Sequence, residues 1–266
     1  MKLGFMSSVL PRETLRGLVD AARRYGYTGI EFRPEWGHGH GIELGTAPWR
    51  LREARAVLAD AGVAATCLAT GVRFNALDVE EQRVNRARLR QYIVLAAEVG
   101  APLVRTFADA LPENDAALRE QALDLAAASY AAVDAWAGQH GVTVLVETHT
   151  NMLAQYARAI VERTAGAHLG VLWHSAHHLL REQSVSEAYG QLRGWVRHLH
   201  YVADRRQQAP SEHDNVEQFR LLLQDGFEGY ASVELINPSE PQQVLAEHRR
   251  AFDRHLAAAG QGHPRV

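Results

Sequence analysis

Apolar positions along the chain keep two alternating rhythms. Over residues 13–24, Leu15, Leu18, Val19 and Ala22 recur at the three-and-four spacing that gathers them on one face of a helix. Gly26 follows, where a helix can end in left-handed backbone without a Cβ penalty, and a short apolar run begins at once. Similar helix–glycine–strand joints return at Gly62, Gly100, Gly141, Gly166 and Gly226. The apolar runs predict strands over 2–6, 29–33, 64–69, 103–107, 143–147, 170–173, 198–202 and 231–235. They are continuous rather than strictly alternating, which suits parallel strands covered on both faces. Eight such units in 266 residues predict a single (β/α)8 TIM barrel. A doubly wound dinucleotide-binding sheet is disfavoured, because no Gly-x-Gly-x-x-Gly turn follows the first strand. No Pro- or Ser-rich linker interrupts the repeat, so one domain is expected over 1–260, with a short tail at 261–266.

In such a barrel the chemistry gathers at the C-terminal ends of the strands. The fifth predicted strand ends in Glu147, the sixth in His174, the seventh carries His198 and His200 two apart, and the eighth ends in Glu234. A carboxylate closing an apolar strand is costly unless it is paired or coordinated. Two carboxylates converging with imidazoles call for a cation between them. A lone strand histidine is more often a hydrogen-bonded core residue than a ligand, and the joint pattern is what points to a metal. A mixed Glu/His donor set suits one divalent ion of the Mn, Zn, Co or Fe kind better than Mg. Several further residues belong to the same mouth. Arg33, Glu35, Trp36, His38 and His40 lie in a glycine-rich loop that either lines the substrate or is merely solvated. Arg105 and Asp109 either pair with each other or meet a polar substrate. His149 is placed to orient Glu147. Cys67, the one cysteine, reads as a core residue.

These residues, with the segments LAAEVGAPLVRTF (95–107) and HGVTVLVETH (140–149), resemble the xylose-isomerase-like barrel superfamily. That group holds ketose 3-epimerases, hydroxypyruvate isomerase, inosose dehydratase and, more distantly, endonuclease IV. The resemblance spans nearly the whole chain. It implies metal ligation by Glu147, His174, His200 and Glu234, catalytic proton transfer by Glu147 and Glu234, and substrate contacts from His177 and Arg206. It implies isomerisation or epimerisation of a small polyhydroxy carbonyl compound, by proton abstraction beside a carbonyl polarised by the metal. Two departures stand out. His174 replaces the family's usual Asp, which removes one negative charge and shifts preference from Mg toward softer ions. Leu153 stands where the epimerases place an acidic substrate contact, so the substrate is expected to differ from theirs. The alternatives are a metal-dependent dehydratase or hydrolase on the same scaffold, or a non-catalytic binding barrel with a degenerate metal site.

Charge narrows the partners. A net charge of −3 supplies no basic footprint for nucleic acid or an anionic membrane. The first residues lack a long apolar stretch, and no run is long enough to span a bilayer, so a cytoplasmic location is expected. A homo-oligomer is compatible with the sequence.

Overall fold

In a computed structural model, which describes residues 1–203 and 210–261, the eight apolar runs are eight strands. The order is β1 (Lys2–Met6), α1 (Leu15–Tyr25), β2 (Gly29–Phe32), α2 (Pro48–Asp60), β3 (Ala64–Arg73), α3 (Val79–Val99), β4 (Leu103–Phe107), α4 (Ala116–Gln139), β5 (Thr143–Glu147), α5 (Ala154–Thr164), β6 (Leu169–His174), α6 (Ser175–Leu179), α7 (Val185–Leu192), β7 (Val196–Tyr201), α8 (Glu212–Gln224), β8 (Tyr230–Val233) and α9 (Pro241–Gly260). Each strand pairs in parallel with the next, and β8 pairs with β1 to close a single barrel. Closure leaves no sheet edge, so every strand is flanked on both sides.

Local chemistry sets the elements. Thr14 caps α1 by accepting from the Gly17 N–H, and Asp78 caps α3 by accepting from Glu80 and Glu81. Leu18, Val19 and Ala22 of α1 are buried, on the predicted face. Five of the six glycine joints take positive φ: Gly26, Gly62, Gly100, Gly141 and Gly226. The sixth works differently. Ala165 holds the left-handed conformation (φ 49), and Gly166 admits a close approach, since a Cβ there would lie 2.3 Å from Asp134 Oδ1.

Several strand limits differ from the sequence reading. β3 runs on to Arg73, and β6 and β7 start one and two residues earlier than expected. β8 ends at Val233, which makes Glu234 the first residue of the following loop. Register shifts occur between Ile30 and Glu31 against β3, and between Val171 and Leu172 against β7. Irregularities of this kind re-aim side chains; the first adjoins Glu31, and the second lies two residues before His174. No helix among the described residues is long and apolar enough to cross a membrane.

Candidate metal centre at the barrel mouth

β5, β6 and β7 end side by side, with the register pairing His174 opposite His200. Glu147 closes β5 and is 1% exposed. The His174 N–H donates to Thr148 Oγ1 at 2.8 Å, which fixes the end of β6 against the chain leaving β5. His200 comes up from β7 fully enclosed, while Glu234, past β8, keeps 18% of its side chain exposed toward the opening.

These four side chains converge. His200 Nδ1 lies 3.0 Å from Glu147 Oε1 and 2.9 Å from Glu234 Oε2. His174 Nδ1 lies 3.3 and 3.2 Å from the same two oxygens. One donor atom from each residue falls within 4.8 Å of all the others. A tetrahedron of donors about 2.1 Å from a shared ion has edges of about 3.4 Å. The four imidazole–carboxylate separations therefore match a common ion, whereas one Nδ1 hydrogen cannot point straight at two carboxylates.

A third carboxylate lies beneath. Glu31 of β2 is wholly buried and faces His200 Nε2 at 3.1 Å through Oε1 and His198 Nε2 at 2.9 Å through Oε2. A hydrogen on His200 Nε2 shared with Glu31 would leave Nδ1 free to bind an ion, the tautomer a metal requires. On the far side, Arg105 Nε lies 3.2 Å from Glu147 Oε2, leaving Oε1 to face the imidazoles. Three carboxylates against one guanidinium leave two negative charges, which one divalent ion cancels. The donor set thus fits a divalent metal in count, spacing and charge.

The electrostatics follow the same geometry. Burial would raise the Glu147 carboxyl, but His200 and Arg105 facing it hold its pKa well below the usual range. Glu31 is held low against its burial by His200 and His198. Glu234 is brought down to about 2, again against burial, chiefly by His200. Burial alone would lower the His200 pKa, yet Glu234, Glu31 and Glu147 around it raise it well above the ordinary imidazole value.

His177 sits one turn into α6, its ring centroid 4.3 Å from that of His174 and 4.6 Å from that of His149. Burial and those two neighbouring imidazoles push its pKa down to about 3, so it is a neutral hydrogen-bonding group at the rim. Arg206 lies outside the described residues. Two expectations need correction. Arg105 and Asp109 do not pair: Arg105 points inward from β4 to Glu147, whereas Asp109, past the strand end, meets His149 Nδ1 at 2.8 Å, Thr150 Oγ1 at 2.5 Å and Arg73 Nη1 at 3.2 Å. For the same reason His149 does not orient Glu147; β5 has ended, and the chain has turned toward the loop after β4. Sequence reasoning passed over Glu31, although a carboxylate inside the apolar run Gly-Ile-Glu-Phe signals a buried partner.

Comparison with known proteins agrees with this architecture. The family model described as xylose isomerase-like TIM barrel matches residues 19–255. Among solved structures the chain is similar to L-ribulose 3-epimerase, with 18% identity over 98% of this chain and 96% of that one and a TM-score of 0.78. It is similar to a D-psicose 3-epimerase at 14% identity, over 97% and 100% of the two chains, with a TM-score of 0.75. The 3-keto-D-glucoside 4-epimerase of E. coli gives 17% identity, 97% and 99% coverage and a TM-score of 0.76. No curated protein is detectably similar in sequence.

Proposed function

The chain belongs to the xylose isomerase-like TIM-barrel family, and from that premise we propose that it is a metal-dependent isomerase or epimerase of a small sugar or other polyhydroxy carbonyl compound. The observation that carries this reading is the convergence of Glu147, His174, His200 and Glu234 within 4.8 Å at the barrel mouth. A divalent ion held there would act as a Lewis acid, lowering the pKa of a proton on carbon next to a carbonyl. Glu147 and Glu234 approach from different strands, both ionised at neutral pH, so each can take up a proton from carbon. Glu234 is the more accessible and is the group assigned to exchange a proton with substrate. Glu147, buried and paired with Arg105, is assigned the second proton-transfer position. His177, neutral at the rim, can accept from or donate to a substrate hydroxyl without adding charge, and Arg206 is assigned a substrate contact by resemblance alone.

The test is solvent deuterium incorporation into ketoses, aldoses and small hydroxy-carbonyl acids, with Mn, Co, Zn and Mg compared. Metal-dependent label at the carbon next to the carbonyl is expected. Glu234→Gln should keep the fold and lower turnover about 10²–10⁴-fold, the usual contribution of a general acid–base group. Label that enters equally well without metal, or full turnover in Glu234→Gln with metal bound, would remove the reading.

A further inference from the structure

Two guanidinium groups at the mouth keep hydrogen-bonding capacity that the protein does not use. Successive residues of a strand point to opposite faces. Glu31 reaches into the barrel, so Arg33, two positions on, starts from the same face. The Arg33 guanidinium carbon lies over the Trp36 ring, 3.9 Å from its centroid, and the indole itself is 56% exposed. Among the described residues no carboxylate or carbonyl accepts from the Arg33 guanidinium, and its Nε is buried without a partner. The charges acting on it are those of the site: burial and Arg105 lower its pKa, against Glu234, Glu147 and Glu31. Arg105, only 2% exposed, likewise keeps its Nη1 buried and without a partner.

The loop carrying Arg33 is held in place. Glu35, at φ 80, accepts from the Gly71 N–H of β3 at 2.5 Å and pairs with Arg88 of α3 at 2.5 Å. Among the described residues, Asp109 is taken by Arg73 and His149, and Glu35 by Arg88. A divalent ion would balance Glu31, Glu147 and Glu234 against Arg105. Arg33 would then remain as a cation with no carboxylate partner among the described residues, set over the Trp36 ring.

We propose that Arg33, held on Trp36 with Arg105 behind it, binds an oxyanion carried by the substrate, so that the site takes a polyhydroxy carbonyl acid or phosphate ester in preference to a neutral sugar. This rests on the isomerase or epimerase reading for what enters the mouth. Guanidinium groups bind carboxylate and phosphate through paired, charge-assisted hydrogen bonds.

Calorimetric titration with D-fructose, D-glucuronate and D-fructose 6-phosphate tests the proposal, using the protein as purified and after dialysis against EDTA. At least one oxyanion-bearing probe is expected to bind about tenfold or more tightly than D-fructose, the size of one charge-assisted hydrogen bond. Preference for the uronate or for the phosphate identifies which oxyanion is recognised. In Arg33→Gln the ratio should collapse toward one, and in Trp36→Ala, altered at an exposed position the fold does not need, it should fall severalfold. Equal binding of all three probes, or binding of neither acid, overturns the proposal. So does a preference that disappears with EDTA, which would mean chelation of the metal, or a ratio unchanged in either variant. The two readings fail separately: a retained ratio with no deuterium exchange would remove only the isomerase or epimerase, and exchange on D-fructose with no ratio would remove only the oxyanion subsite.

Discussion

At the scale of single residues, the site depends on what lies behind its ligands. Glu31 faces His200 Nε2 at 3.1 Å from behind the cluster and is placed to orient its ring. Glu31→Gln removes the charge while keeping the shape, so metal affinity is expected to fall about 10–100-fold, the usual effect of losing such an outer partner. Isothermal titration with Mn and Zn would measure it, and unchanged affinity would show that the His200 ring is set by packing alone. His174 carries a different expectation. His174→Asp adds an oxygen donor and a negative charge, so Mg and Mn should gain relative to Zn. Competition between these ions on both proteins reads the shift directly, and an unaltered order would mean that His174 does not ligate. The proposed ligands were legible because each lies at or within one residue of the end of an apolar strand. Of the two readings open for Arg105, pairing with Asp109 is excluded by its contact with Glu147; sequence gives the face of a strand and not the neighbour across the barrel. Glu31 was missed because it pairs with histidines 167 and 169 residues away.

Elements were legible wherever apolar periodicity and glycine agreed. β1, β4 and β5 match the sequence reading residue for residue. β3 extends beyond the predicted 64–69 because its end pairs Arg73 with Phe107, and its Gly71 N–H donates to the Glu35 carboxylate that anchors the loop. Gly29 shows how tightly the strands are set. A Cβ there would lie 2.3 Å from Thr66 Cγ2 and 2.6 Å from Tyr230 Cε1. Gly29→Ala is therefore expected to destabilise the protein by about 1–3 kcal/mol, the cost of overpacking. Combining it with Thr66→Ser, which deletes the nearer methyl group, should recover part of that loss. Urea denaturation midpoints of the two variants check the assignment.

For the whole molecule, pH dependence separates into windows. Burial lowers His40 and His178 to about 4, well under the ordinary imidazole value of 6.5. Between those limits the unfolded chain binds protons that the folded chain refuses. Stability from these two residues is thus complete above pH 6.5 and is lost as pH falls toward 4, at about 1.4 kcal/mol per pH unit for each fully responding residue. His200 acts in the opposite sense and elsewhere: its raised pKa adds stability to the metal-free protein below 6.5, which is lost as pH rises through the folded value. Glu234, lowered to about 2, adds stability above 4.5 that goes only in stronger acid. Urea titrations of the EDTA-treated protein between pH 8 and pH 4.5 should show the loss in the histidine window, reduced in His178→Gln. A flat profile would show that neither histidine is held neutral.

Closure of the barrel by β8 on β1 also has a consequence for how the protein is made. The chain is synthesised from its N-terminus, so Glu31, Glu147, His174 and His200 exist before Glu234 leaves the ribosome. A nascent chain halted before β8 has an open sheet and lacks one of the four converging side chains. On the proposed metal reading, loading of an ion would therefore wait for the last strand to dock, because the four-donor set is incomplete until Glu234 joins it.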